Sequence, residues 1–321
     1  MSGADQPGLQ KVYSSVGAVS SVRAMIDAQL QQIDLEEQEG EKKIIDKLKG
    51  VKKKEESSTE FDDFSTIKEF DILSMPRNSV VLVIASRRSG KSFVTQHILE
   101  QYHKAKHFDS GFMFSKTNSG FEKSIPQTYR FSDLEHLPKI VEMMVRVKKH
   151  NKKAKKKDQV SSNIFLLLDD MVGAGGLSAE MRKDPILNKI SVNGRHLDFN
   201  QKSSILTILL SQIYTGLSPQ IRLNADYILV PKISSRRERE SIVNSFMTHL
   251  SGREGLKRAY KLFDDIVNEK DFQFLVINTT GQNKRNFSDY IFKIRAPPKL
   301  EDIRLVGDDD DWRHNNFKII F

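Results

Sequence analysis

The sequence predicts an α/β fold: a three-layer sandwich with a mostly parallel central sheet, preceded by a charged N-terminal arm that is helical or disordered. Three stretches predict it. Val80–Ile84 is an apolar, β-branched run that ends in Ala85-Ser86-Arg87-Arg88-Ser89-Gly90-Lys91-Ser92, after which the apolar spacing turns helical. Ile164–Leu168 is unbroken apolar sequence closed by Asp169-Asp170, and Ser204–Leu210 is a second mostly apolar run, interrupted only by Thr207 after its opening Ser204 and closed by Ser211-Gln212. Apolar runs without alternation suit parallel strands covered on both faces, with helices as the crossovers between them.

Composition limits what surrounds this core. The chain has 321 residues, 38% of them apolar and 29% charged, so part of it lies outside a packed interior. A formal charge of +9 favours a polyanionic partner without identifying one. The absence of cysteine excludes disulfides, thiolate zinc sites and a cysteine nucleophile. No apolar run reaches the length of a membrane span and Met1–Gly17 lacks a signal-peptide core, so a soluble intracellular protein is expected.

Residues 1–60 read as a polar and charged arm. Val22, Met25, Ile26, Leu30 and Ile33 fall at helical spacing, and an acidic run then gives way to Lys42, Lys43, Lys47, Lys49 and Lys52-Lys53-Lys54. So narrow a stripe makes no core by itself; it is an exposed arm or a partner-binding helix. The globular domain is expected over 61–298, and 299–321 form a tail that is acidic at Asp308–Asp311 and then apolar.

The first strand and the residues after it have the layout of a phosphate-binding loop. Ala85, Ser86, Arg87, Arg88, Ser89 and Gly90 would turn backbone N–H groups onto a polyphosphate, and the helix behind them adds its positive dipole end. Lys91 would reach the β and γ phosphates, and Ser92 would set its hydroxyl on Mg²⁺. Ala85 stands where the consensus has glycine, which the loop tolerates if its φ stays negative. In the following helix His103 and His107 sit four apart, a chelating spacing. Lys104 replaces the Glu of the zinc-protease pattern, so an exposed helix end is expected instead.

Gly111–Ser115 reads as a second strand and Leu134–Val147 as a helix. Lys148, Lys149, Lys152, Lys153, Lys155, Lys156 and Lys157 then make the most basic stretch, expected as a mobile surface loop. It either grips phosphates, with salt-sensitive affinity, or is a solvated insertion. Asp169 at the end of the next strand would hold Mg²⁺, and Asp170 would polarise an attacking water. Gln212, ending the strand after that, either touches the γ-phosphate and the attacking water or is an ordinary strand end. Arg195 and Arg222 are candidates to neutralise a transferring phosphoryl group, or else surface or structural arginines. A further strand over 225–230, a helix opening at Arg236, and two last strands over 272–278 and 290–294 complete the domain, closed by Pro297-Pro298.

Taken in order, Ala85–Ser92, Asp169-Asp170, Arg195-His196, Gln212 and Pro219–Asn224 resemble the genome-packaging ATPases of large eukaryotic DNA viruses. These are of the poxvirus type, within the FtsK–HerA class of P-loop NTPases. The resemblance covers 61–231, and its most specific block is 194–224. It implies an ATP- and Mg²⁺-dependent motor that drives double-stranded DNA into a capsid. Such a motor usually works as a homo-oligomeric ring in contact with capsid or portal proteins, in the host cytoplasm (the viral factory) or the virion. Lys91 and Ser92 would bind phosphates and metal, Asp169 and Asp170 would be the metal-side acid and the base, and Gln212 the sensor. Arg222, or Arg195, would be the arginine finger between subunits. Arg87 and Arg88 occupy positions more often small or polar, and either act on the γ-phosphate in cis or face solvent. Two other readings use the same loop: a nucleotide or polynucleotide kinase, and a non-hydrolysing NTP-binding scaffold for DNA or capsid.

Overall fold

The computed structural model describes residues 67–117, 120–169, 171, 190, 202–247, 252–281 and 286–307. The arm over 1–60, Asp170, Arg195 and the tail beyond 307 lie outside the described residues.

Eight strands form one sheet in the order β3-β2-β4-β5-β1-β6-β7-β8. They are β1 (Val80–Ile84), β2 (Ser110–Ser115), β3 (Arg130–Phe131), β4 (Ser162–Asp169), β5 (Ser203–Ser211), β6 (Tyr227–Val230), β7 (Gln273–Asn278) and β8 (Ile291–Arg295). The pairings from β3 across to β6 are parallel, whereas β6–β7 and β7–β8 are antiparallel. Every residue of β1, β4, β5 and β6 is buried, which requires cover on both faces and explains why their sequences do not alternate.

The helices are α1 (Lys91–Lys104), α2 (Leu137–Lys153), α3 (Pro219–Asn224), α4 (Arg236–Phe246) and α5 (Gly252–Asn268). Ser218 and Ser235 cap α3 and α4, their side chains accepting from the backbone N–H of Ile221 and Glu238. The β2–β4 register sets Gly111 opposite Phe165, whose ring lies over it. A Cβ on Gly111 would stand 2.2 Å from that ring, so glycine is required there. At the centre, Asp226 ties β1 to β6: its Oδ2 accepts from Val80 N at 2.8 Å and its own N–H donates to Val80 O at 2.7 Å.

One expectation is corrected. The lysine-rich stretch is not a loose loop: Lys148, Lys149, Lys152 and Lys153 continue α2, and Lys156–Asp158 form a 3₁₀ turn. Lysine is a good helix former, and positive charge at a helix C-terminus is favoured by the macrodipole. Fully buried Asn151 then fixes the exit, its amide donating to Val160 O and its Oδ1 accepting from Val160 N, both at 2.9 Å.

The described chain past β8 crosses back over the sheet. Lys104 at the end of α1 pairs with Glu301 at 2.5 Å, Leu305 N donates to Ser124 O, and Leu305 and Val306 are buried. Residues 296–307 thus form a strap from the β8 edge toward the β2–β3 edge.

Candidate functional site

Parallel strands end at one pole of the sheet, and three neighbours bring the predicted residues there. The register sets Asp169 of β4 opposite Leu210 of β5, and Ser211 of β5 opposite Ile84 of β1. Gln212 is the residue after Ser211, and Ala85 the residue after Ile84. Ala85 N donates to Ser211 O at 2.9 Å, extending the ladder one step into the loop. Ala85 is absent from the residues with positive φ, so its methyl group meets the condition that the loop sets.

Beyond Ala85 the backbone turns sharply. Arg88 (φ 63°) and Gly90 (φ 88°) are left-handed, while Ser89 between them is not. Alternation of hand makes the concave run of N–H groups that receives an anion. Ser89 Oγ donates to Ser86 O at 2.6 Å and closes the turn. Gly90 caps α1, so Lys91 and Ser92 stand in its first turn, at the positive end of the dipole. Both the left-handed φ and the crowding require glycine: a Cβ at 90 would lie 3.1 Å from Phe272 Cδ1 and 3.4 Å from Ala296 Cβ.

Lys91 Nζ lies 3.4 Å from Asp169 Oδ1, both side chains nearly buried. This joins the two elements that sequence reading assigned to phosphate and metal. Mg²⁺ usually takes one or two carboxylates together with phosphate oxygens and water, and Asp169 with Ser92 Oγ is a donor set of that kind. Among the described residues no cluster of three or more His, Asp or Glu side chains is arranged to hold a metal by itself.

A cavity of about 510 Å³ opens over the loop, lined on one side by Ser86, Arg87, Arg88, Lys91, Ser92, Thr117 and Asp169. Arg87 and Arg88 are exposed on its rim. Its apolar lining is Phe93 of α1 together with Phe272, Ala296, Pro297, Pro298 and Leu300, and the part from 272 to 300 is not evident in the sequence. The signal available was an aromatic residue directly before one late strand and a Pro-Pro pair one residue past the next.

The remaining candidates stand further off. Gln212 adjoins the loop by register but is not part of the cavity wall. Arg222, on α3, lays its guanidinium 5.0 Å from the ring centroid of buried Tyr214. Burial raises the Tyr214 phenol pKa, and Arg222 opposes that shift. The segment between Gln212 and α3 is held by Glu238 of α4, whose Oε2 accepts from Tyr214 N (2.6 Å) and Thr215 N (3.1 Å), and whose Oε1 accepts from Thr215 Oγ1 (2.6 Å). The lysines from 148 to 157 precede the first residue of β4 and therefore lie at the opposite pole from the loop. His103 and His107 form no pair: one ring packs on Phe108 and the other on Tyr102.

No known family's sequence profile matches the chain. A curated relative, the uncharacterized protein L437 of Acanthamoeba polyphaga mimivirus, is 24% identical over 184 residues, which are 56% of this chain and 61% of that protein. Among solved structures, the chain is similar to the genome packaging NTPase B204 of Sulfolobus turreted icosahedral virus 2 in complex with AMPPCP. The identity is 15%, the coverage 70% of this chain and 100% of that one, and the TM-score 0.44. It is also similar to the conjugation coupling protein TcpA of pCW3 (17% identity, 76% and 64% coverage, TM-score 0.41). A third likeness is to the cytoplasmic domain of the type VII secretion ATPase EccC of Thermomonospora curvata (14%, 70% and 26%, 0.43). Likenesses of this size assign no role to any residue.

Proposed function

We propose that this chain is an ATP-hydrolysing motor that moves double-stranded DNA into a viral capsid. The observation that carries the reading is the alignment of three adjacent strand ends, β4, β5 and β1. They set Asp169, Gln212 and the phosphate loop side by side, with Lys91 within 3.4 Å of Asp169. The ordered sequence motifs that resemble viral packaging ATPases support the choice of substrate, and the partial match to a mimivirus protein supports a viral setting.

The work of the site is electrostatic. Lys91 and the loop amides take the triphosphate, so Lys91 exchanges its carboxylate partner for phosphate oxygens when nucleotide arrives. Ser92 and Asp169 would hold Mg²⁺, which when bound would supply charge neutralisation on the transferring group. Asp170 orients and polarises the attacking water, and an arginine completes neutralisation: Arg87 or Arg88 in cis, or Arg222 or Arg195 from a neighbouring copy in a ring. Gln212 senses the γ-phosphate. Glu238 then carries its movement into α4, because the segment just past Gln212 hangs on that carboxylate. DNA would meet the lysines between 148 and 157, at the pole away from the nucleotide. A ring would present that pole to the duplex.

The test is steady-state ATP hydrolysis with and without long double-stranded DNA, for the wild type, Lys91→Ala and Asp170→Asn. DNA-stimulated turnover that both substitutions abolish is the expected result. Phosphate transfer to a nucleotide or polynucleotide end would establish the kinase instead. Binding without turnover, unchanged in Asp170→Asn, would establish the scaffold. Replacing Lys152, Lys153, Lys155, Lys156 and Lys157 by glutamine should weaken DNA binding at all sequences and flatten its salt dependence.

A further inference from the structure

Part of the cavity lining is carbon. Phe93, Phe272, Ala296, Pro297, Pro298 and Leu300 contribute it, and none of these side chains can donate or accept a hydrogen bond. Thr117 stands two residues past Ser115, which pairs with Asp169, so it belongs to the acid side.

Phe272 is built for exposure. The residue is 51% exposed although the chain beside it enters a buried strand. Its φ is +59°, a left-handed conformation that costs an L residue roughly 1–2 kcal/mol. Hydrogen bonds on both sides hold it there: Ala296 N donates to Phe272 O at 3.0 Å, and Gln273 N donates to Lys270 O at 3.2 Å. The antiparallel β7–β8 pair explains its position. Because β7 runs against β6, the start of β7 and the end of β8 both reach the pole where β1 delivers its loop. Phe272 and Ala296 consequently close on Gly90 from outside.

We propose that this wall seats the nucleobase. A purine stacks on the Phe272 ring, enclosed by Pro297, Pro298 and Leu300 of the strap, and is read by its flat face. The inference rests on the nucleotide-binding reading of the loop and deepens it. Once the phosphates lie at Lys91, the rest of the nucleotide must extend away from the acid. Within the cavity the described residues offer this apolar wall, and about 510 Å³ is in the range of sites that hold a molecule of that size. A seat without side chains that read base edges accepts adenine and guanine alike, because every base presents a π-face.

Calorimetric titration of the full chain with ATP, GTP and inorganic tripolyphosphate tests it, using wild type, Phe272→Gly and Phe272→Trp. Glycine accepts the left-handed φ, so it removes the ring without adding backbone strain, and tryptophan restores a flat face. In the wild type, ATP and GTP should bind within about threefold of each other and at least roughly tenfold more tightly than tripolyphosphate. Phe272→Gly should weaken ATP by roughly 5- to 100-fold with tripolyphosphate unchanged, and Phe272→Trp should recover ATP affinity. Unchanged ATP affinity in Phe272→Gly overturns the seat, as does strong preference for one purine or equal wild-type affinity for ATP and tripolyphosphate. Those wild-type comparisons decide the matter even if the glycine variant folds poorly. Failure of the underlying reading has a different signature: tripolyphosphate and ATP both fail to bind the wild type, or bind Lys91→Ala equally well. Either result removes the seat together with the loop.

Discussion

Glu238 should be among the residues least tolerant of truncation, for reasons that can be counted. Its carboxylate is buried and accepts three hydrogen bonds from Tyr214 N, Thr215 N and Thr215 Oγ1. In Glu238→Ala the Tyr214 and Thr215 amides lose their acceptor, at about 1–3 kcal/mol for each one stranded in the interior, and a small cavity is left behind. The sum is roughly 3–5 kcal/mol, on the order of 10 °C in Tm for a domain of this size. Glu238→Gln separates geometry from charge. Its Oε1 can face the two amides while its Nε2 donates to the Thr215 hydroxyl, so the three bonds persist without charge assistance, and the loss should be only about 1–2 kcal/mol. Urea denaturation and thermal melts of the two variants beside wild type read these values. In the DNA-stimulated ATPase assay, Glu238→Gln should keep basal turnover better than it keeps stimulation, because the link from Gln212 to α4 is loosened. An alanine variant within about 1 kcal/mol of wild type would refute the account of this anchor.

Three further outcomes are expected. Gly90→Ala should cost about 1–2 kcal/mol from its left-handed φ alone and displace Phe272, so nucleotide affinity falls together with Tm. His97 and His107 have pKa values lowered from 6.5. Burial is the main cause for both, with Lys104 adding to it at His97 and Arg77 at His107. A depressed imidazole contributes stability above its unfolded pKa and loses it as pH falls through the folded value. Melts should therefore weaken below about pH 6.5, and less so in His107→Gln. Asn151→Ala should release the turn after α2, which rapid tryptic cleavage at Lys155, Lys156 and Lys157 would report; an unchanged digestion pattern would refute the clamp.

The central strands were legible because burial on both faces erases alternation. β1 and β4 could be read from unbroken apolar runs, and β5 from an apolar run that contains one threonine, to within a residue or so at each end. The turn into α1 was legible because Gly90 follows an apolar strand and precedes helical spacing. What escaped was either too short or set by distant parts of the chain. β3 has two residues, held only by register with Met113 and Phe114. Helix α5, from Gly252 to Asn268, passed unread, although its apolar residues Leu256, Ala259, Leu262, Phe263, Ile266 and Val267 follow helical spacing. The lysines after Val147 have the charge density of a loop, but helix propensity and the buried Asn151 within them decide their structure. Phe272 was read as a strand residue. Only the tertiary approach of Ala296 and Gly90 reveals that it is turned outward, and no local pattern carries that information.

The place of β1 in the sheet also governs how the protein can be made. Among the described residues it is the first strand the ribosome releases, yet Val80 pairs opposite Thr207 and Val81 opposite Tyr227. At roughly 5–20 residues per second, this apolar strand waits several seconds or more for its first neighbour. During that interval it is an unpaired template, which a chaperone would have to shield. A nascent chain stalled before Phe272 would carry the phosphate loop and both of its parallel partners but not the part of the carbon wall from 272 to 300. If that wall seats a nucleobase as proposed, half-made chains would be poor competitors for the cell's nucleotide, and full affinity would arrive only after Leu300 has been added.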